Sequence, residues 1–283
     1  ILGTNSSLTL SSSTASPSDT ITCTATATDG SGDTDSGSAS VSVENTDPVV
    51  GSVAISPSSN VKVTTALVCS ATATDPDGSS TTLSYSWTNG SSTLGTGSNL
   101  TLSASNSSTG DTITCSAQAV DSDGGTDTGV ATVTVVNSAP VLSSAALSPT
   151  SATEVSILTC APSSATDADG DSVSYSYNWN VAGTWNSQTA DSLSGSYFNR
   201  DDSVYCVVTP NDGTTTGTSV ISNTVTISNT SPSVSGVSIT PSPALDNDTL
   251  TCSYSYVDVD SDSDASTIAW TVGSTAIGTG ITV

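Results

Sequence analysis

Six cysteines recur along the chain at nearly equal intervals, and this regularity is the strongest constraint on what the chain can fold into. They are Cys23, Cys69, Cys115, Cys160, Cys206 and Cys252, with intervals of 46, 46, 45, 46 and 46 residues. A fixed spacing is typical of one folding unit repeated in series. The sequence therefore predicts an array of similar domains.

The cysteines alternate between two sequence contexts, so the true repeat is twice the interval. Every second one, beginning with Cys69, follows a short apolar run, whereas the others end a D-[ST]-[IV]-[TY]-C string. Two further markers keep the same phase. They are the tryptophans Trp87, Trp179 and Trp270, and the element N-[TS]-x-P that begins at Asn45, Asn137 and Asn229. One repeat therefore spans 91 or 92 residues.

The order of these markers predicts the fold of each repeat. A tryptophan follows the first cysteine by 18 or 19 residues, and the second cysteine follows the first by 46. This is the order of an immunoglobulin-like β-sandwich, in which a tryptophan of strand C packs on a disulfide between strands B and F. Segments such as ATVTVV at 131–136 alternate apolar and polar residues, as half-buried strands do. We expect an all-β tandem array of immunoglobulin-like sandwiches, each with one B–F disulfide and a core tryptophan as its one large anchor.

The two ends of the chain match the middle of a repeat. LGTNSSLTL at 2–10 resembles LGTGSNLTL at 94–102, and IGTGITV at 277–283 resembles the same segment in shortened form. We therefore predict two complete domains, 48–139 and 140–231, flanked by a C-terminal half-domain at 1–47 and an N-terminal half-domain at 232–283. The complete domains would contain Cys69–Cys115 and Cys160–Cys206. Cys23 and Cys252 would bond across chain ends, either within a longer array or between head-to-tail copies, and both alternatives lead to a filament or stalk.

Aspartates cluster in the two loops that follow the cysteines. In an immunoglobulin-like sandwich these B–C and F–G loops lie at one end, where the linker from the preceding domain also arrives. Calcium prefers flexible cages of oxygen ligands. We therefore expect calcium sites at the junctions, and the D-x-D-G-D string at 167–171 is the best candidate. The alternative is that Asp and Gly occur in these loops only because they favour turns. The candidate ligands are Asp75, Asp77, Asp121, Asp123, Asp167, Asp169, Asp171, Asp258 and Asp260, with the linker residues Asn45, Asn137 and Asn229.

The composition excludes several classes of function. The chain has 26 acidic residues against two basic ones, Lys62 and Arg200, and a formal charge of −24. Nucleic acids and anionic membranes require a basic surface, so we expect neither as a partner, and no apolar run suggests membrane insertion. Paired cysteines persist outside the reducing cytosol, which predicts an extracellular or cell-surface location. Without histidine, Ser–His and Cys–His catalysis has no base within this chain, and we expect no enzyme.

Three segments carry a resemblance to a known kind of protein. SITPSPALDNDTLTC at 238–252, DADGDSVSYSYNW at 167–179 and DDSVYCVVTPNDGTTTGTSV at 201–220 resemble the immunoglobulin/PKD-like tandem repeats of very large prokaryotic surface proteins. The resemblance covers essentially the whole chain. It implies a role as a spacer, stalk or fibre.

The leading interpretation is a structural segment of an extracellular filament or surface adhesin, whose partners are copies of itself. The alternatives are a module that binds glycans or cells and a spacer of a giant secreted enzyme. Trp185 and Tyr197 depart from the repeat pattern and suggest a patch for sugar stacking. The competing expectation, which we favour from sequence, is that both rings pack inside the longer C–E region of their domain.

Overall fold

The computed structural model describes residues 1–90 and 92–280, and the regular secondary structure of these residues is almost entirely β-strand. They form two compact units. The first unit contains residues 1–138 and 168–170, and the second contains residues 139–167 and the chain from 171 onward. The all-β prediction is therefore confirmed, while the four domain boundaries stay predictions.

In the described part of the first unit, nine strands form three sheets. They are β1 (Thr20–Thr28), β2 (Thr34–Ser42), β3 (Val49–Ser56), β4 (Ala66–Thr74), β5 (Thr82–Asn89), β6 (Ser92–Thr96), β7 (Asn99–Thr101), β8 (Thr112–Val120) and β9 (Thr126–Thr134). Strands β1 and β2 pair only with each other. The other seven form an antiparallel sheet β3-β4-β7 and an antiparallel sheet β6-β5-β8-β9.

A disulfide joins the two larger sheets of this unit. Cys69 of β4 bonds Cys115 of β8, so the bridge links the strands that correspond to B and F. Trp87 of β5 lies directly opposite Cys115 in the strand register and is fully buried. Because side chains alternate between the faces of a strand, the cysteine and the tryptophan both point into the space between the sheets. This is the arrangement of an immunoglobulin-like sandwich.

The second unit repeats this plan. Its strands are β10 (Ala145–Ser148), β11 (Ala152–Thr153), β12 (Ile157–Pro162), β13 (Ser174–Val181), β14 (Thr184–Asn186), β15 (Ser192–Ser194), β16 (Ser203–Asn211), β17 (Val220–Ile221), β18 (Val225–Ser228), β19 (Ser233–Thr240), β20 (Thr251–Val257), β21 (Ala269–Val272) and β22 (Thr275–Thr279). One 3₁₀ turn, Gly195–Tyr197, precedes β16. Sheet β10-β12-β15 faces a sheet of β11-β18-β16-β13-β14 with β17 beside β16. The disulfide Cys160–Cys206 joins β12 and β16.

The core of this second sandwich is larger than the sequence suggested. Trp179 is fully buried, as expected, but leucines, a phenylalanine and branched side chains surround it. The buried cluster consists of Leu142, Leu147, Ala152, Leu158, Cys160, Trp179, Leu193, Phe198, Val204, Cys206, Val208, Val225 and Ile227. The tryptophan is therefore one of several large anchors, and the expectation that it would be the one large anchor was wrong.

The terminal segments form strand pairs with exposed faces. On β1, Cys23, Ala25 and Ala27 are exposed, whereas the equivalent Cys115, Ala117 and Ala119 of β8 are fully buried. Strand pairs β19–β20 and β21–β22 carry Cys252 and Trp270. The thiols of Cys23 and Cys252 are free in this structure. Both segments are thus strand pairs with faces open to solvent, and their assignment as half-domains stays a prediction.

Candidate cation site at the repeat junctions

The linker that enters each repeat is fastened to the B–C loop by the same hydrogen bond. The backbone N–H of Thr46 donates to Asp77 Oδ2 at 2.6 Å. The N–H of Ser138 donates to Asp169 Oδ2, and that of Thr230 donates to Asp260 Oδ2 at 2.5 Å. Each donor directly follows the asparagine of N-[TS]-x-P, and each acceptor is the second aspartate after the B-strand cysteine. This contact recurs with the repeat.

At the first junction, side chains from three segments meet. Asn45 of the linker donates its amide N–H to Asp121 Oδ2 of the F–G loop at 2.9 Å. Ser79 of the B–C loop donates its hydroxyl to Asp123 Oδ2 of the F–G loop at 3.0 Å. Together with the Thr46 contact, these bonds connect the linker, the B–C loop and the F–G loop. Of the residues that the sequence proposed as ligands here, these bonds involve Asn45, Asp77, Asp121 and Asp123.

Backbone N–H groups hold the first aspartate of each loop in place. Asp75 Oδ1 accepts from the N–H groups of Asp77 and Ser79 at 2.8 and 3.1 Å. Asp121 Oδ1 accepts from Asp123 and Gly125 at 2.9 and 2.8 Å. The Asn45 amide, followed by these backbone groups, lowers the pKa of Asp121, because hydrogen bonds to a carboxylate favour its charged form. Asp121 is therefore a fixed negative charge at neutral pH.

Gly125 leaves the space in which these side chains converge. A Cβ atom at this position would lie 2.5 Å from Asp121 Oδ2, 2.6 Å from Asp47 Oδ1 and 2.7 Å from Asn45 Nδ2. All three atoms therefore lie around one point beside the Gly125 backbone. Asp47, which the sequence did not single out, joins the cluster in this way.

Two oxygens at the first junction are buried without a hydrogen-bond partner. They are Asn45 Oδ1 and Asp75 Oδ2. Their other ends are fixed by the bonds described above, so neither side chain can turn to water without breaking those bonds. A buried carboxylate or amide oxygen without a partner is costly, and native proteins rarely retain one. The two oxygens fit the donor set of a hard cation.

The third junction, after Asn229, shows the same feature with one addition. Asp258 Oδ2, Asp260 Oδ1 and Thr230 Oγ1 are buried without a hydrogen-bond partner. Here Arg200 extends a guanidinium whose Nη1 lies 2.6 Å from both Asp262 Oδ2 and Asn229 Oδ1. Both salt bridges found among the described residues involve Arg200. A protein cation therefore already balances part of the charge at this junction.

Glu154 is a further carboxyl group at the third junction. It accepts a hydrogen bond from the N–H of Arg200 at 2.7 Å. A side-chain hydrogen bond with Asp260 raises the pKa of Glu154, since two carboxyl groups in contact cannot both ionise freely. The sequence had singled out neither Glu154 nor Arg200, because both come from the loops and edges of the preceding repeat.

The remaining candidates group by loop. Asp167, Asp169 and Asp171 each place a carboxylate oxygen within 4.8 Å of the others, and so do Asp258, Asp260 and Asp262. Asn137 and Asn229 donate their amides to the carbonyls of Ser138 and Thr230, unlike Asn45, which reaches the F–G loop. The junctions share the linker contact but differ in their polar partners.

The comparisons with known proteins add the following. No protein-family profile matches the chain, and no curated protein sequence matches it. Among solved structures, fibronectin(III)-like modules of Clostridium thermocellum CbhA are 17% identical with a TM-score of 0.24, over 62% of this chain and 94% of that one. Three N-terminal domains of the bacteriophage RB49 outer capsid protein Hoc are 14% identical with a TM-score of 0.29, over 75% and 89%. Cadherin domains 3–6 of protocadherin gamma B2 are 14% identical with a TM-score of 0.27, over 79% and 61%.

The sheets, disulfides and buried tryptophans of the molecule define its fold class. Among the described residues, no helix is long and apolar enough to span a membrane. Each complete sandwich has two facing sheets whose pairings are antiparallel except for β11 with β18, one inter-sheet disulfide and one buried tryptophan opposite a cysteine. The chain is a tandem array of immunoglobulin-like repeats, and each complete sandwich contains its own internal disulfide.

Proposed function

We propose that this chain is a structural segment of an extracellular filament or adhesin stalk. The observation that carries the proposal is the recurring bond from the linker N–H to the second aspartate of the B–C loop, made by Thr46, Ser138 and Thr230. A flexible spacer needs no contact between linker and loop. A contact repeated at each linker favours a role that depends on reach and stiffness.

Imaging of the native assembly tests this function. Negative-stain electron micrographs of the protein from its own source should show unbranched filaments or stalks with a regular axial repeat. Material that stays dispersed as single short particles under native salt conditions would contradict the proposal. A catalytic domain in the same polypeptide would instead favour a spacer within a secreted enzyme.

We also propose that calcium binds at the junctions. At the first one, Asn45 Oδ1 and Asp75 Oδ2 would be ligands, with further oxygens from Asp47 and Asp121. Calcium takes six to eight oxygen ligands, and extracellular modules bind it with Kd of about 10⁻⁴–10⁻³ M. At the third junction, Thr230, Asp258 and Asp260 would contribute the oxygens that lack partners. Support comes from these buried oxygens, which a cation would satisfy.

Calcium should therefore stabilise the repeat that begins after Asn45. With Kd of about 10⁻⁴ M, 10 mM calcium corresponds to about 100 times Kd and stabilises the folded state by about 2.7 kcal/mol. For a domain of this size, the melting temperature should rise by about 10 °C or more. Scanning calorimetry in 10 mM calcium and in EGTA measures the difference.

Two aspartate variants make this test specific. Asp75→Asn preserves the shape and the Oδ1 acceptor of the turn but removes the charged Oδ2, so it should abolish most of the calcium-dependent shift. In EGTA it should be as stable as the parent, because it relieves an unpartnered buried carboxylate. Asp246→Asn removes the same charge from an exposed position between β19 and β20 and should retain the shift. Equal melting temperatures with and without calcium would refute the site.

The partners in the proposal are further repeats of the same kind. The exposed face of β1 with Cys23 would be covered by a sheet equivalent to β3-β4-β7, whose cysteine would bond Cys23, and Cys252 would bond an equivalent of Cys115. Each bond would form as two thiols lose two electrons and two protons to a disulfide oxidant such as oxidised glutathione. Peptide mapping of unreduced native protein should then recover Cys23 and Cys252 in cross-linked peptides. Their recovery as free, alkylatable thiols would exclude these bonds.

A further inference from the structure

One sheet face of the second unit carries an aromatic platform that the first unit lacks. On the outer face of its larger sheet, Asn180 of β13 lies between Trp185 of β14 and Tyr205 of β16 in the strand register. The two rings meet edge to face, with centroids 6.2 Å apart. Trp185 is nevertheless 60% exposed. The expectation that Trp185 packs inside its domain was therefore wrong, and its ring partner is Tyr205.

The complete sandwich of the first unit shows what this face looks like without such a platform. Counting from the core tryptophan and the F-strand cysteine, Asn180 corresponds to Thr88, and its two neighbours correspond to Thr93 and Thr114. The register pairs Thr88 with both of these threonines, as it pairs Asn180 with the two aromatic residues. Threonine is therefore sufficient for the fold at all three positions. The aromatic residues of the second unit are not required by the sandwich.

The chemistry of the platform selects its ligand. Its side chains are uncharged in a chain whose formal charge is −24. The strongly acidic chain repels anionic polymers. The exposed indole offers a flat apolar face with a negative quadrupole, which attracts polarised C–H groups. The amide of Asn178, exposed on the same face, supplies hydrogen-bond donors and an acceptor.

We propose that Trp185, Tyr205 and the neighbouring Asn178 form a binding site for a neutral glycan. A pyranose ring presents C–H groups on its faces and hydroxyl groups on its rim, and so matches an aromatic face bordered by an amide. The site lies on a sheet face rather than in a cavity, and neighbouring strands are about 4.8 Å apart. It therefore fits consecutive residues of an extended sugar chain. This proposal is independent of the calcium site and of the filament.

The test uses the intact chain and two substitutions taken from the first unit. The probes are gluco-, manno- and galacto-hexaoses, with a hyaluronan hexasaccharide as the anionic comparison. At least one neutral hexaose should bind and protect tryptophan fluorescence from iodide, because Trp87, Trp179 and Trp270 are at most 8% exposed. Trp185→Thr and Tyr205→Thr should each weaken binding at least tenfold. Thr93→Ala, on the equivalent face of the first unit, should leave binding unchanged.

Three outcomes would contradict the glycan site. Binding of no neutral hexaose at millimolar concentration would overturn the proposal, and so would binding that survives both substitutions. Concentration-dependent association that Trp185→Thr abolishes, without any glycan binding, would assign the platform to a second copy instead. Far-ultraviolet circular dichroism verifies that the variants fold, as the threonines of the first unit lead us to expect.

Discussion

Replacing Cys160 and Cys206 together by alanine should destabilise the second sandwich by about 4 kcal/mol. The bridge joins residues 46 positions apart on facing sheets. Removing a cross-link of that length restores the chain entropy of the unfolded state, worth about 4 kcal/mol on the loop-closure model. For a domain of this size, its melting temperature should fall by about 15–30 °C.

Scanning calorimetry of the intact chain tests this loss. The transition of the second sandwich should move down while that of the sandwich containing Cys69–Cys115 stays near its original temperature, because distant substitutions act independently. Cys23→Ala, which removes an exposed free thiol, is the matched control and should change neither transition. A loss below about 1 kcal/mol would show that the core alone holds the two sheets together.

Replacing Trp179 by alanine should have an effect of similar size. The side chain is fully buried, and its Nε1–H donates to the carbonyl of Ala190 at 2.9 Å. Loss of a buried tryptophan creates a cavity and typically costs about 3–5 kcal/mol. The Ala190 carbonyl would also lose its partner. The same bond occurs from Trp87 to Gly97 and from Trp270 to Gly280, so it is a property of the repeat.

Trp185 provides a control of the same residue type in the same domain. Because Trp185 is exposed and contacts Tyr205 edge to face, Trp185→Ala should cost no more than about 1.5 kcal/mol. Urea unfolding of both variants compares them directly. Equal losses would mean that Trp179 is not the anchor that its burial indicates. Trp179→Phe separates packing from the hydrogen bond, since it retains an aromatic ring without the donor.

The regular features of this protein could be predicted because they are local and repeated. The spacing of Cys69, Trp87 and Cys115 determines which strands face each other, so it predicts the sandwich and the position of its loops. The B–C and F–G aspartates could be assigned to one end for the same reason. The hydrogen-bond partner of each carboxylate could not be predicted. Every residue except proline has a backbone N–H, so the sequence does not indicate that the N–H of Thr46 is the donor.

The features that the sequence did not reveal depend on residues far apart in the chain. Arg200 reaches Asp262 from a turn in the preceding repeat, and Gly125 matters only because three side chains converge beside it. Trp185 was expected to pack inside the longer C–E region of its domain. Instead, a tight turn at Ala182 and Gly183, both with positive φ, reverses the chain so that β14 pairs with β13. This pairing places the Trp185 ring on the outer face, in contact with Tyr205.

The central claim is that a cation joins linker and loops at the repeat junctions, and anomalous X-ray diffraction tests it most directly. Crystals grown with terbium, a calcium substitute with strong anomalous scattering, should show a peak at about 2.3–2.6 Å from both Asn45 Oδ1 and Asp75 Oδ2. The same peak should be missing in Asp75→Asn. A map with ordered junction side chains and no peak between those two oxygens would contradict the claim.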